Sequence, residues 1–298
     1  MQKKIIDSFF EQHPEAKSGR LTMDEINQLL VKYQQQLNNR PIKEFDGLSP
    51  TQMNGLLYHP LLPECILQYR ETEEKYLEQV PLLTLSEILL KEIKNQEKLK
   101  LTTIGNLPLH VCKILNNQSL IKWKYMELNK RINEDSIPYL WPLKQYLIEG
   151  GLVKKQHNSL SLTKKGDIYL KQNKQFRFKH IFNYFSNRFH WGNFYDPYFN
   201  ETCGQLGWAF SMILVSKYGD KTKDAHFYSN QIYQALGNQS LDVEKYNDIY
   251  AVRFFEFFCS WFGLIDYEIK RDIKSPYQDK YFVKKSMLFD KLFVVNMN

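Results

Sequence analysis

Residues 136–170 read SIPYLWPLKQYLIEGGLVKKQHNSLSLTKKGDIYL, and this stretch decides the fold of the chain. The pattern predicts a proline-started helix that ends at the pair Gly150-Gly151. Two short apolar strands follow, at residues 152–153 and 160–162, with a polar turn between them. A further helix is expected to begin after residues 163–166. The glycine pair and the polar turn therefore predict a helix followed by a β-hairpin.

The residues before this stretch complete the pattern. A helix with an apolar stripe is expected to begin at Pro81, because leucines and isoleucines recur there at helical spacing. A short strand around Leu99 and Leu101 follows, and then a helix over residues 109–115. This order of helices and strands is typical of a winged helix, a helix-turn-helix fold that binds DNA or other proteins.

The last 50 residues follow the same plan. We expect a helix over residues 247–262 that stops at Gly263, a strand over residues 264–269, a turn at Ser275-Pro276 and a strand over residues 281–283. The pattern predicts a second winged-helix-like unit. Because this helix, NDIYAVRFFEFFCSWF, is apolar nearly all round, we expect it to be buried.

Length and composition set the architecture. A chain of 298 residues that is 43% hydrophobic and 24% charged is long enough for roughly two or three folded domains. The low content of glycine and proline favours a mainly α protein. We predict a helical N-terminal region (1–80), a winged-helix domain with a small β-hairpin (81–175), and a helical C-terminal domain that ends in the second winged-helix-like unit (176–298).

The cysteines and the chain start indicate the compartment. Cys65, Cys112, Cys203 and Cys259 lie far apart in apolar contexts, so we expect buried free thiols and no metal site. The first residues become charged too early for a secretory signal, and no apolar run approaches ~18 residues. Both observations favour a cytoplasmic protein that does not bind a membrane.

The net charge of +7 comes from one part of the chain. Residues 151–191 contain nine lysines and arginines and one acid, Asp167, a local charge of +8. Such a patch can contact phosphates with an affinity that falls steeply with salt, although charge runs are also common on solvated surfaces. The predicted nucleic-acid-binding residues are Lys154, Lys155, Lys164, Lys165, Lys171, Lys174, Arg177 and Lys179.

The helix before the hairpin is poorly suited to reading a base sequence. Base edges are read by Arg, Asn, Gln or Lys on the helix that enters the groove. Residues 138–149 offer only Lys144 and Gln145 for that purpose. Any nucleic-acid contact is therefore expected to have little sequence specificity.

An enzyme is the third functional class. The segment 190–207 gathers His190, Asp196, Glu201 and Cys203, which could line a pocket. The chain lacks HExxH, GxSxG and P-loop motifs, and its histidines show no ligand spacing. Aromatic packing explains this segment more simply, so we expect a protein without enzymatic activity or cofactor.

Several phrases of the sequence resemble a known family. The segments LTTIGNLP (101–108) and GGLV with LSLTKKG (150–166) are similar to text in uncharacterised conserved bacterial proteins of Bacteroidetes and plasmid type. FDGLSPTQM (45–53) and GQLGWAFSMILVSKYGD (204–220) extend the resemblance to residues 45–225. It implies a bacterial protein with a winged-helix domain and carries no activity with it.

These observations lead to two functional expectations. The first is a non-enzymatic winged-helix protein that binds DNA or another polyanion through the basic hairpin and the helix after it. The alternative is a protein–protein adaptor that uses the winged helices as packing modules and has no nucleic-acid contact.

Overall fold

The described part of the chain is mainly α-helical, with small antiparallel sheets, as predicted. The structure is a computed structural model that describes residues 2–123, 131–196, 198–199, 201–236, 242–270 and 280–297.

The N-terminal elements are α1 (Gln2–Gln12), α2 (Met23–Asn39), α3 (Pro50–Tyr58), β1 (Leu67–Tyr69) and α4 (Glu74–Leu77). Helices α1 and α2 pack around Phe9, Ala16 and Tyr33, which form a small cluster separate from the main core. Leu56 and Leu67 belong to the main core instead. The first two helices therefore pack around a cluster of their own.

A first unit of three helices and three strands follows. Its elements are α5 (Pro81–Asn95), β2 (Leu99–Lys100), α6 (Leu109–Asn116), α7 (Leu140–Glu149), β3 (Val153–Gln156) and β4 (Ser159–Leu162). The strands form an antiparallel sheet in the order β2-β4-β3. Gly151 follows α7 with a φ of 70°, a left-handed conformation that glycine adopts at little cost. The chain can therefore turn directly from α7 into the predicted hairpin.

Two helices, α8 (Lys164–Lys171) and α9 (Lys174–Asn187), connect the first unit to the second. Helix α9 buries Phe178, Phe182 and Phe185. The Phe182 ring centroid lies 4.9 Å from that of Phe262 in the second unit. The Phe185 ring centroid lies 6.0 Å from that of Tyr146 on α7. One hydrophobic core therefore runs through both units.

The second unit repeats the order of the first. Its elements are α10 (Trp208–Tyr218), β5 (Lys223–Asp224), α11 (Ala225–Leu236), α12 (Val243–Tyr250), the π-helical segment Ala251–Cys259, β6 (Ile265–Lys270) and β7 (Lys280–Lys285). The sheet order is β5-β7-β6. As in the first sheet, the last strand in sequence lies between the other two. The predicted turn at Ser275-Pro276 lies outside the described residues.

The chain closes on itself near its end. The last elements are α13 (Met287–Leu292) and β8 (Phe293–Val295). Strand β8 pairs antiparallel with β1, with Leu67 opposite Val295 and Tyr69 opposite Phe293. Segments more than 200 positions apart in sequence thus share one two-stranded sheet.

All four cysteines are buried free thiols, as predicted. Among the described residues, none of the helices combines the length and apolarity needed to cross a bilayer.

Candidate nucleic-acid interface

Helix α7, the third helix of the first unit, is mostly buried, and its exposed residues are Trp141 and Glu149. Leu140, Leu143 and Leu147 are fully buried. Helix α9 covers part of the remaining surface, where the ring centroids of Tyr146 and Tyr184 lie 5.2 Å apart. A helix in this position cannot enter a DNA groove without losing the contact with α9.

Lys144, one of the two candidate base-reading residues on α7, points into the protein and not toward solvent. Its side chain is 5% exposed and pairs with Glu134, whose side chain is fully buried. The Lys144 ammonium also donates to the Gly105 carbonyl at 2.9 Å, and Glu134 accepts from the backbone N–H of Leu107 at 2.6 Å. The pair therefore fastens the loop before α6 to α7 and has no role on the surface.

Polar side chains reinforce the contact of α7 with α8 and α9. Tyr146 on α7 shares a 2.8 Å hydrogen bond with His180 Nδ1 on α9 and donates to the Tyr169 hydroxyl at 3.0 Å. Tyr184 donates to Glu149 at 2.7 Å. Burial lowers the pKa of His180, and the positive charges of Lys165 and Arg188 lower it further. These bonds keep α9 on the face of α7.

Three of the eight predicted binding residues lie on α9, and each forms an ion pair with an acid of another element or loop. Lys174 lies 3.1 Å from Glu78, and Lys179 lies 2.8 Å from Glu71. Arg177 Nε donates to Glu87 at 2.9 Å, and both side chains are only 12% exposed. Each of these cations therefore has a carboxylate partner in the segment around α4 or on α5, and the Arg177–Glu87 pair is the least exposed of the three.

Two further predicted residues, Lys165 and Lys171 on α8, make contacts within the molecule. Lys171 lies 3.4 Å from Asp167, which is also paired with Lys94. Both lysines lower the pKa of the Asp167 carboxyl, with the hydrogen bond from Lys94 the main cause. The ammonium of Lys165 donates to the Gly150 carbonyl at 2.7 Å, where it satisfies the end of α7.

The remaining three predicted residues, Lys154, Lys155 and Lys164, are exposed. Within the described residues, none of them has a carboxylate within ion-pair distance. Lys154 and Lys155 lie side by side on β3, and Lys164 begins α8. Lys165 and Arg188 are also exposed and have no carboxylate partner among the described residues, so the unpaired positive charge of the basic segment lies on the β3–β4 hairpin, on the first two residues of α8 and at Arg188.

Lys100 is a further exposed cation that the sequence reasoning missed. It lies on β2 opposite Ser159 of β4, at the edge of the same sheet. Its position outside the strongly basic segment hid it. The alternation of Leu99, Lys100 and Leu101 in a predicted strand already implied that its side chain faces away from the core.

The third helix of the second unit is buried, as predicted. Arg253, in the π-helical segment, has 0% exposure. Its guanidinium donates to the Tyr195 carbonyl at 2.9 Å and to the Asp196 carbonyl at 2.8 Å. It donates to the Cys203 carbonyl as well, at 3.2 Å. Arg253 thus anchors the 190–207 segment and does not face a groove.

The same segment shows little preparation for catalysis. Burial raises the pKa of the Cys203 thiol to about 12, and the sulfur donates to the Tyr246 carbonyl at 3.6 Å. A cleft of about 360 Å³ borders the segment and is lined by His190, Gln205 and Trp208 among others. Cys203 is not among the lining side chains. In the described parts of the chain, no three His, Cys, Asp or Glu side chains gather as a metal site.

Comparison with known families gives one similarity. The model of a family described as the Y4jL N-terminal domain matches residues 78–175. This is about a third of the chain, and it encloses the first unit and α8. The description names a domain and no activity, and it agrees with the expected resemblance to a family without an assigned role. No curated protein and no solved structure matches the chain.

Proposed function

We propose that the protein is a non-enzymatic protein with two winged-helix units that binds nucleic acid through the backbone, with little dependence on base sequence. The contact surface is the β3–β4 hairpin of the first unit together with the start of α8. The carrying observation is that Lys154, Lys155 and Lys164 are exposed and without carboxylate partners among the described residues.

The order of elements supports the winged-helix assignment. Each unit has one helix, one strand, two helices and two strands, when α12 and the π-helical segment that directly continues it are counted as one helix. In each sheet the third strand lies between the first and the second. In a winged helix the last two strands form the wing, which corresponds here to the β3–β4 hairpin and to β6 with β7.

The burial of most of the third helix in each unit favours contact with the nucleic-acid backbone rather than recognition of base edges. Direct readout requires a helix or ribbon whose polar side chains reach base edges in the major groove. Helix α7 is covered by α9, and the corresponding helix of the second unit lies in the core. Lysines on a hairpin contact phosphates, which fix position and carry no sequence information.

The test is a binding titration with a labelled duplex of about 20 base pairs at about 50 mM and about 200 mM salt. We compare wild type with the triple variant Lys154→Gln, Lys155→Gln and Lys164→Gln. Each phosphate contact contributes roughly 0.9 to the slope of log affinity against log salt. We therefore expect the triple variant to bind more weakly and to lose roughly 2–3 units of slope.

The matched control is the double variant Lys174→Gln and Lys179→Gln. It removes lysines from the same basic segment, but these two are already paired with acids. It should bind DNA nearly as wild type does. No binding by wild type at low salt, or equal binding by wild type and the triple variant, would contradict the proposal.

The protein–protein adaptor is the second candidate. It is favoured by one observation, the use of both third helices in packing within the molecule. Under this alternative, wild type would bind no duplex at low salt.

A further inference from the structure

We infer that the first sheet binds double-stranded DNA in preference to single strands, with Lys100 and Lys154 contacting the two backbones that border one groove. This inference rests on the proposed nucleic-acid binding and specifies its substrate. It also adds Lys100, which lies outside the basic segment, to the contact surface.

The strand register places these lysines on one face of the sheet. Lys100 pairs with Ser159, and Lys154 pairs with Ser161. Directly paired residues, and residues two apart on one strand, lie on the same face. Lys100, Ser159, Ser161 and Lys154 therefore share a face, which we call the outer face.

Lys155 lies on the opposite side of the sheet. It pairs with Leu160, which is fully buried. Its ammonium extends toward Gly105, as shown by the 3.1 Å separation from the position that a Cβ of Gly105 would occupy. The two adjacent lysines of β3 thus point in different directions, and only Lys154 belongs to the outer face.

The spacing of the two outer lysines follows from the geometry of a sheet. Lys100 and Lys154 stand on the two strands that flank β4, so they are separated by two strand spacings, or roughly 10 Å. Their partners Ser159 and Ser161 are two residues apart, which adds roughly 7 Å along the strand. The Cα atoms are therefore about 12 Å apart.

This separation exceeds the width of the DNA minor groove, which is about 6 Å. The two ammonium groups can therefore reach phosphates on opposite strands, with the Ser159 and Ser161 hydroxyls over the groove between them. A single strand has one flexible backbone and offers no second row of phosphates at a fixed distance. Duplex DNA can satisfy both lysines at once.

The composition of the outer face supports the same preference. Proteins that bind single strands stack the bases on aromatic side chains. On the outer face, Ser159 lies between its cross-strand partners Lys100 and Gln156, and Ser161 lies beside its partner Lys154. None of these is aromatic, so the face has no platform for unpaired bases.

The experiment compares two labelled probes, a duplex of about 20 base pairs and one of its separated strands, at about 50 mM salt. For wild type we expect the duplex to bind at least about tenfold more tightly. In the double variant Lys100→Gln and Lys154→Gln we expect the affinity for the duplex to fall until it is about equal to the affinity for the single strand. The slope of log affinity against log salt for the duplex should decrease by roughly 2 units.

Two controls separate the outer face from general charge. Lys91→Gln removes an exposed lysine that lies on α5 and not on a strand of the sheet, and it should leave the ratio unchanged. Lys155→Gln removes the neighbouring charge on the opposite face and should weaken both probes to a similar extent. Circular dichroism confirms that each variant is folded.

The outcomes distinguish this inference from the proposed function. If wild type binds both probes equally and binding still depends on the hairpin lysines, the inference is overturned and the proposed function stands. An unchanged ratio in the Lys100→Gln and Lys154→Gln variant also overturns the inference. If neither probe binds, both are overturned.

Discussion

At the scale of single residues, Lys144 shows where sequence reasoning reaches its limit. Its neighbours on α7 predict a helix correctly, and a lysine on a helix is ordinarily exposed. The residue that pairs with it, Glu134, lies ten positions earlier in a segment without helical periodicity. A long-range polar contact of this kind leaves no periodic signal, so the burial of Lys144 could not be predicted.

The buried pair gives the first stability prediction. Glu134→Gln leaves the Lys144 ammonium buried without its counter-charge, which typically costs about 3–5 kcal/mol. Urea unfolding should show this loss. The control Lys113→Met changes an exposed lysine on α6 and should stay within about 0.5 kcal/mol of wild type. A Glu134→Gln variant as stable as this control would show that the pair does not hold the loop.

His226 gives a prediction of how the free energy of unfolding changes with pH. Its Nε2 lies 3.2 Å from Asp248, and this hydrogen bond is the main reason that the pKa of His226 is raised above 6.5, while burial opposes the shift. The native state therefore holds the proton more tightly than the unfolded chain does. The resulting stability is fully present below about pH 6.5 and is lost as pH rises through the folded-state pKa.

Asp248→Asn removes this contribution. The free energy of unfolding should drop by up to about 1 kcal/mol at about pH 6, because the pair is partly exposed, and by less at about pH 8.5. Urea titrations of both proteins at the two pH values measure the difference. Asp266→Asn, at an exposed position on β6, is the control. An equal or larger loss at the higher pH would contradict the assignment.

At the scale of elements, α9 determines how the first unit can be used. It buries phenylalanines against both units and covers α7. Phe182→Ala should destabilise the protein by about 3–5 kcal/mol, since it opens a cavity in the shared core. Phe176, 47% exposed on the same helix, provides the control, and Phe176→Ala should cost under about 1 kcal/mol. Thermal or urea unfolding measures both, and similar losses would place Phe182 outside the core.

The elements themselves were largely predictable. The glycine pair after α7 marked the helix end, and alternating leucines marked β2 and β4. The buried third helix of the second unit followed from its uninterrupted apolar character. Its π-helical segment, Ala251–Cys259, did not follow from that pattern. No spacing rule in the sequence identifies it.

The same limit applies to the candidate interface. Local charge singled out the basic segment, and the hairpin lysines remain its predicted contacts. The neutralisation of Lys174, Arg177 and Lys179 depends on acids that are about a hundred positions earlier in the sequence. Only the folded arrangement of α4, α5 and α9 brings these acids close. A count of charges along the sequence therefore cannot separate paired cations from unpaired ones.

At the scale of the whole molecule, the two helices at the N-terminus differ from the rest. They pack around their own small cluster of Phe9, Ala16 and Tyr33, while the remaining elements share one core. Local stability should follow this division. Native-state hydrogen exchange should show α1 and α2 opening at a lower free energy than α5, α9 and α10. Equal protection throughout would indicate one cooperative unit.

The pairing of β1 with β8 has a consequence for synthesis on the ribosome. Leu67 leaves the ribosome more than 200 residues before its partner Val295, a delay on the order of ten seconds or more at ordinary elongation rates. During that interval β1 has an open edge and an apolar side chain that the finished protein buries completely. A nascent chain in this state is a natural client for chaperones, and its final folding step waits until β8 has emerged.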